Sequence, residues 1–164
     1  MNAHLIIPAA GMGRRLGADG PKALVDLAGQ PLLVRTLGRF VPLGLADGAV
    51  IVVPEAEMDA FAHVLRAHLP DLEFRIVAGG AERQDSVARG LDALAPDAGI
   101  VLVHDAARPF VSADAIAASC VAAKEHGAAT VALPAADTIL VGDADDFLDS
   151  TPPREHLWQC QTPQ

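Results

Sequence analysis

The sequence predicts an α/β fold with a doubly wound, mostly parallel sheet, and three observations carry that reading. Short apolar runs recur along the chain at Leu5-Ile6-Ile7, Ala49-Val50-Ile51-Val52-Val53, Phe74-Arg75-Ile76-Val77, Ile100-Val101-Leu102-Val103 and Ala129-Thr130-Val131-Ala132-Leu133. Runs without polar alternation mark strands buried on both faces. Helical stretches separate them, which is the βαβ rhythm of a parallel sheet. Hydrophobic residues make up 51% of the chain but aromatics only 4%, with no tyrosine, so the interior is built from Ala, Val, Leu and Ile. That composition suits helices packed on a parallel sheet better than an aromatic-rich sandwich.

The elements follow in order. The first strand, Leu5 to Ile7, runs at once into Pro8-Ala9-Ala10-Gly11-Met12-Gly13, then Arg14 and Arg15, and the segment closes at Pro21-Lys22. After a connection through Gly29-Gln30, Pro31 suits the first residue of a helix, with Leu33, Leu37 and Phe40 on one face. The run at residues 49–53, closed by Pro54, is the second strand. Residues 55–68 read as a helix with Met58, Phe61, Leu65 and Leu69 inward, and the third strand, from Phe74, ends on Gly79-Gly80. Residues 82–94 are helical with Val87, Leu91 and Leu94 inward. Gly90 inside that helix costs about 1 kcal/mol against alanine, which points to close helix–sheet packing or a tolerated defect.

The fourth strand, residues 100–104, leaves Asp105 at its carboxyl end. Ser112 can cap the next helix, which turns Ile116, Cys120 and Ala123 inward and stops at Gly127. Residues 129–133 form the fifth strand, closed by Pro134. Beyond Ala135 the rhythm breaks. Residues 135–157 are expected to form an arm away from the sheet, and residues 157–161 a return strand, all within one domain spanning 1–164. The acids Asp143, Asp145, Asp146 and Asp149 lack calcium-loop spacing because Phe147 takes the third ligand position, so they read as a solvated turn.

The chain carries a net charge of −9 with a pI near 4.9. An acidic balance argues against nucleic-acid binding but not against a small phosphate ligand, which responds to charge within a cleft. The histidines are scattered without zinc spacing, and Cys120 and Cys160 are expected to be inert packing residues in a reducing cytoplasm. No basic export leader and no membrane-length apolar run are visible.

In an open parallel sheet, ligands sit outside the carboxyl ends of the strands. Three loops lie there: residues 8–22, 79–86 and 105–110. The first has small residues that expose backbone N–H groups and three nearby cations. Taken alone, it is as well read as a plain glycine turn. It fails the dinucleotide fingerprint, because Leu16 stands where the third glycine is needed, and it fails the P-loop pattern. Gly79-Gly80 lets a flat ligand approach the backbone, and Ser86 offers a hydroxyl. Asp105, after buried strand residues, must be paired, metal-bound or wet. It suits Mg²⁺ shared with phosphate oxygens, or an ion pair with Arg108. The three loops together favour a magnesium nucleotide.

Five motifs occur in order: Pro8-Ala9-Ala10-Gly11-x-Gly-Arg-Arg with Pro21-Lys22; Gly79-Gly80-x-Glu-Arg-x-Asp-Ser-Val; Val103-His104-Asp105-Ala106-Ala107-Arg108-Pro109; Asp137-Thr138; and Leu157-Trp158 with Gln161-Thr162-Pro163-Gln164. They resemble, over essentially the whole chain, the 2-C-methyl-D-erythritol 4-phosphate cytidylyltransferases of the non-mevalonate isoprenoid pathway. The resemblance implies a Rossmann-like nucleotidyltransferase sheet, a divalent cation (Mg²⁺), and CTP and methylerythritol phosphate as substrates. It also implies a homodimer formed through the arm.

By the same resemblance, Pro8, Ala9, Ala10, Gly11 and Gly13 would wrap the CTP phosphates, while Gly80, Ala81 and Ser86 would read cytosine. Arg15 and Lys22 would stabilise charge at the reacting phosphate, and Asp105 would hold the metal. Ala106, Arg108, Thr138 and Arg154 would join Asp105 around the substrate, with Thr138 and Arg154 coming from the partner's arm. Ala81 departs from members that carry a hydrogen-bonding side chain there. The family continues past Gln164 with a further substrate lysine and a second acid near the metal, so a C-terminal segment is expected beyond this sequence. Rival readings are transfer to another polyol phosphate such as ribitol 5-phosphate, a non-catalytic nucleotide-binding or dimerisation module, and, least supported, a dinucleotide-dependent dehydrogenase.

Overall fold

The computed structural model describes residues 3–11, 20–94 and 98–164. Its centre is a four-stranded parallel sheet of β1 (Ala3–Pro8), β2 (Ala49–Val53), β3 (Phe74–Ala78) and β4 (Ile100–Val103), in the order β3-β2-β1-β4. Register runs Ile7 to Ile51 and Ile51 to Ile76 on one side of β1, and Leu5 to Leu102 on the other. All of β2 and Leu5, Ile6 and Ile7 of β1 are buried. Their lack of alternation is therefore a consequence of cover on both faces.

The two faces are covered unequally. Leu5, Ile7, Ile51 and Val53 meet a large cluster fed by α1 (Leu32–Leu37), α2 (Met58–His68) and α4 (Ala113–His126). The alternate residues Ile6, Val50 and Val52 meet Val77, Ala93 and Leu94 on the side of α3 (Arg83–Asp92). The reversal follows from chain direction. Crossovers from β1 to β2 to β3 advance one way, and α3 carries the chain back over β2 and β1 to β4. A right-handed connection must then lie on the opposite face. Strand order reverses between β1 and β4, which is where such a sheet opens a crevice.

Helix ends obey the local sequence. The Ser112 hydroxyl accepts the Ala115 N–H at 3.1 Å, and Gly127 ends α4 at φ +85°. Three expectations change. Leu91 is 46% exposed, and the buried positions of α3 are the small residues Ser86 and Gly90. A Cβ on Gly90 would lie 2.7 Å from Ile6 Cγ2, so the helix sits too close to the sheet for a side chain there.

The fifth strand is shorter than expected. β5 (Ala132–Pro134) pairs antiparallel with β8 (Trp158–Cys160), not with β4. Gln164 takes the edge of β4 by exchanging two hydrogen bonds with Val103, at 2.8 and 2.9 Å. The return segment thus runs beside β4, while β5 and β8 form a separate two-stranded antiparallel sheet. Cys160 is also exposed on this segment rather than packed, whereas Cys120 is buried as expected.

Between β5 and β8 the arm forms. It is a hairpin of β6 (Val141–Gly142) and β7 (Leu148–Ser150), followed by a 3₁₀ turn at Arg154–His156. The Asp143 carboxylate accepts the N–H groups of Asp145 and Phe147, both at 2.9 Å, which closes the hairpin turn and accounts for the acidic run.

Candidate active site

The three loops converge on one cleft of about 370 Å³. Residues Pro8 to Gly11 form its floor at the end of β1, and Lys22 and Ala23 form one wall. Gly80, Ala81, Glu82, Arg83 and Ser86 rise on a second side, and Asp105, Ala106 and Ala107 on a third. Lys22, Gly80 and Asp105 therefore open onto the same space.

Each wall is set locally. Ala9 continues the ladder past β1 by donating to Val52 O at 2.7 Å, which holds the floor against the sheet. A Cβ on Gly79 would come within 2.7 Å of Ala10 Cβ and 3.0 Å of Ser86 Oγ, and one on Gly80 would strike Asp85. Gly79 is needed for the two loops to meet, and Gly80 for its turn to close against the start of α3. The Ser86 hydroxyl is buried; it accepts the Gly80 N–H and donates to Glu82 O, both at 3.1 Å. A capping box of Glu82 and Asp85 starts α3. Ser86 thus shapes the glycine turn as well as facing the cleft. Lys22 opens a 3₁₀ turn that follows Pro21, with φ −62°.

Asp105 lies between two guanidinium groups. Arg83 places Nε and Nη2 at 3.1 and 3.0 Å from Oδ1, and Arg108 Nε lies 3.2 Å from Oδ2. The Arg108 pair weighed in the sequence is present. Arg83 stands inside the second sequence motif but carries no role there, because its partner is distant in sequence and reaches it only through the α3 crossover. Its one signal is position: three residues after Gly80, on the first turn of a helix that starts at the cleft.

The loop that carries Asp105 is braced from behind. Thr36 Oγ1, fully buried, donates to Ala106 O at 2.7 Å. His104, also fully buried, donates from Nε2 to Arg108 O at 3.0 Å, and Phe40 meets its ring edge-on at 5.0 Å. Its Nδ1 finds no partner among the described residues. Burial pushes the imidazole pKa down, against smaller raising effects from Arg108 O and Asp105. Thr36 lies outside the sequence motifs, where a buried hydroxyl looks ordinary, and His104 lies inside the third motif but carries no role there.

Other expected residues lie elsewhere. Gly13 and Arg15 fall outside the described residues. Arg108 does not line the cleft; it reaches Asp105 and donates to Gln161 Oε1. Thr138 and Arg154 belong to the arm, where Arg154 Nη1 donates to Ala136 O at 3.1 Å, and neither lines the cleft. Among the described residues no group of three acidic, histidine or cysteine side chains could cage a metal. A cation brought in on phosphates needs only one or two carboxylates, and Asp105 fits that need. Among the described residues no helix is long and apolar enough to cross a membrane.

A family model for 2-C-methyl-D-erythritol 4-phosphate cytidylyltransferase matches residues 3–164. The chain belongs to that family. A cytidylyltransferase of this name from Geobacter metallireducens is 44% identical over 168 residues, covering 100% of this chain and 72% of the relative. The crystal structure of the Thermus thermophilus 2-C-methyl-D-erythritol 4-phosphate cytidylyltransferase aligns with a TM-score of 0.70 at 36% identity, over 99% of this chain and 69% of that one. That of the 4-diphosphocytidyl-2C-methyl-D-erythritol synthase from Anaerococcus prevotii aligns with a TM-score of 0.82 at 29% identity, over 98% and 68%. Membership in a cytidylyltransferase family agrees with a cleft built from small residues, backbone N–H groups and cations rather than from a protein nucleophile.

Proposed function

We propose that this protein transfers CMP from CTP to 2-C-methyl-D-erythritol 4-phosphate, releasing pyrophosphate, as a step in isoprenoid precursor synthesis. The observation that carries the reading is the opening of Lys22, Gly80 and Asp105 onto one cleft at the strand-order reversal. A phosphate oxygen of the acceptor attacks the α-phosphorus in line, and pyrophosphate leaves. Catalysis is then positioning plus charge stabilisation.

The backbone of residues 8–11 and the Lys22 ammonium bind the triphosphate. The Gly80 turn, with Ala81 and the Ser86 hydroxyl, holds the base. Lys22, together with Arg15, acts most strongly on the charge that develops in the transition state. Asp105 would hold Mg²⁺, which when bound offsets triphosphate charge.

Ala106 and Arg108 flank the acceptor, and Thr138 and Arg154 act from the partner's arm in a homodimer. The arm's exposed Leu140, Phe147 and Leu148 support that assembly. Two free thiols, one of them exposed, support a cytoplasmic setting. Pyrophosphate release with CTP and either acceptor tests the reading. We expect turnover with methylerythritol phosphate and little with ribitol 5-phosphate; the reverse preference would overturn the substrate assignment.

A further inference from the structure

Arg83 bridges the mouth of the cleft. It stands on the first turn of α3 and spends both its Nε and Nη2 on a single oxygen of Asp105, at 3.1 and 3.0 Å. Nη2 also lies 3.4 Å from Gln164 Oε1. The second Asp105 oxygen is taken by Arg108, at 3.2 Å. Both oxygens of the cleft's candidate metal ligand are thus engaged by guanidinium groups. Arg83 and Asp105 both line the cleft, and both are partly open to solvent, their side chains 48% and 31% exposed. An ion pair at that exposure is weakly held and can be exchanged.

A guanidinium prefers a phosphate to a carboxylate when a polyanion enters the same space, because the fork geometry suits both and the phosphate group carries more charge. With both lone pairs of Oδ1 taken by Arg83, that oxygen cannot serve a cation until the guanidinium leaves.

We propose that Arg83 is a nucleotide-binding latch: on entry of CTP its guanidinium leaves Asp105 Oδ1 for the triphosphate, freeing that oxygen for the divalent cation. The proposal rests on the reading of the cleft as a CTP site. It gives Arg83, which the second motif contains without a role, a function and a coupling that the resemblance did not supply. Arg83 carries its single positive charge from Asp105 to the triphosphate, and the incoming Mg²⁺ takes its place at Oδ1 while Arg108 keeps Oδ2. Nucleotide and cation then support each other's binding. In the empty cleft the pair keeps Arg83 ordered and aimed inward, which lessens the ordering cost when CTP binds.

Calorimetry on the full polypeptide tests this, with CTP titrated once in excess Mg²⁺ and once in EDTA. The wild type, Arg83→Gln, Arg83→Lys, Asp105→Asn and the double variant Arg83→Gln/Asp105→Asn are compared. Arg83→Gln should weaken CTP binding about tenfold in both conditions, as expected for a lost charged contact to phosphate, and Arg83→Lys should recover part of it. Asp105→Asn should strengthen metal-free CTP binding, because the latch starts open, and the double variant should lose that gain.

If Asp105→Asn keeps its gain in the double variant, simple relief of charge repulsion explains it and the latch is wrong. Unchanged affinity in Arg83→Gln also overturns it. A wild type that binds no CTP in either condition overturns the cytidylyltransferase reading itself, which separates the two failures. Thermal unfolding of each variant should match wild type closely, since the Arg83 pair is exposed.

Discussion

At the scale of single residues, Lys22 and His104 make opposite kinds of contribution. Lys22 lines the cleft and acts on the ligand. Lys22→Ala should lower turnover by at least roughly 100-fold, the range seen when one electrostatic stabiliser is removed, and weaken CTP binding less. Steady-state rates beside calorimetric affinities check the split; near-normal turnover would remove Lys22 from the chemistry.

His104 never touches the cleft and acts through the backbone of residues 104–108. Burial holds its pKa below the ordinary 6.5, so the folded state favours the neutral ring. The unfolded chain therefore binds the extra proton first. Stability should be unaffected by this group above pH 6.5, and fall as the pH drops below it until the folded pKa is reached. The slope from this one group is at most about 1.4 kcal/mol per pH unit. His104→Gln, which keeps an N–H for Arg108 O, should flatten the dependence of unfolding free energy between pH 7 and pH 5, measured by urea titration. An unchanged slope would remove His104 as a cause.

At the scale of elements, α3 decides the most. Its sequence periodicity points to Val87, Leu91 and Leu94; Leu94 does pack on the sheet, but Leu91 is exposed and the buried positions of the helix are Ser86 and Gly90. The apolar signal misplaced Leu91 because the closest contact selects for small size rather than hydrophobicity. Gly90→Ala would gain about 1 kcal/mol of helix propensity and pay for it in overlap with Ile6 and Val52, which are fully buried and cannot yield. The net result should be a loss of about 1 kcal/mol, within the ordinary range for overpacking. Chemical denaturation reads it directly, and a stabilised variant would show that the helix can shift outward. Tilting or sliding α3 would also move Arg83 and the Gly80 turn, so Gly90→Ala should weaken CTP binding although it lies outside the cleft.

At the scale of the molecule, the arm is the part a single chain leaves without a purpose. Its hairpin buries nothing, with Phe147 71% and Leu148 64% exposed, and it carries Arg154 and Thr138 away from the cleft. If the partner's arm completes each site, mixing Lys22→Ala with Arg154→Ala should give dimers in which one site regains both residues. Activity of the mixture should then exceed that of either variant alone. No gain after subunit exchange, verified by mass measurement of mixed dimers, would show that the arm serves its own chain or none.

The sequence by itself determined the class of fold, the parallel core strands, the capped helix from Ser112 to Gly127 and the small-residue loops that meet at one rim. These follow from local properties: apolar periodicity, caps, and the backbone freedom of glycine. Tertiary structure decided what depends on residues far apart in the chain. Arg83 meets Asp105 across the α3 crossover, Thr36 and His104 brace a loop from behind, and the return segment displaces β5 from the edge of β4. No periodicity in the sequence encodes such pairings, because the distance between their members is set by topology.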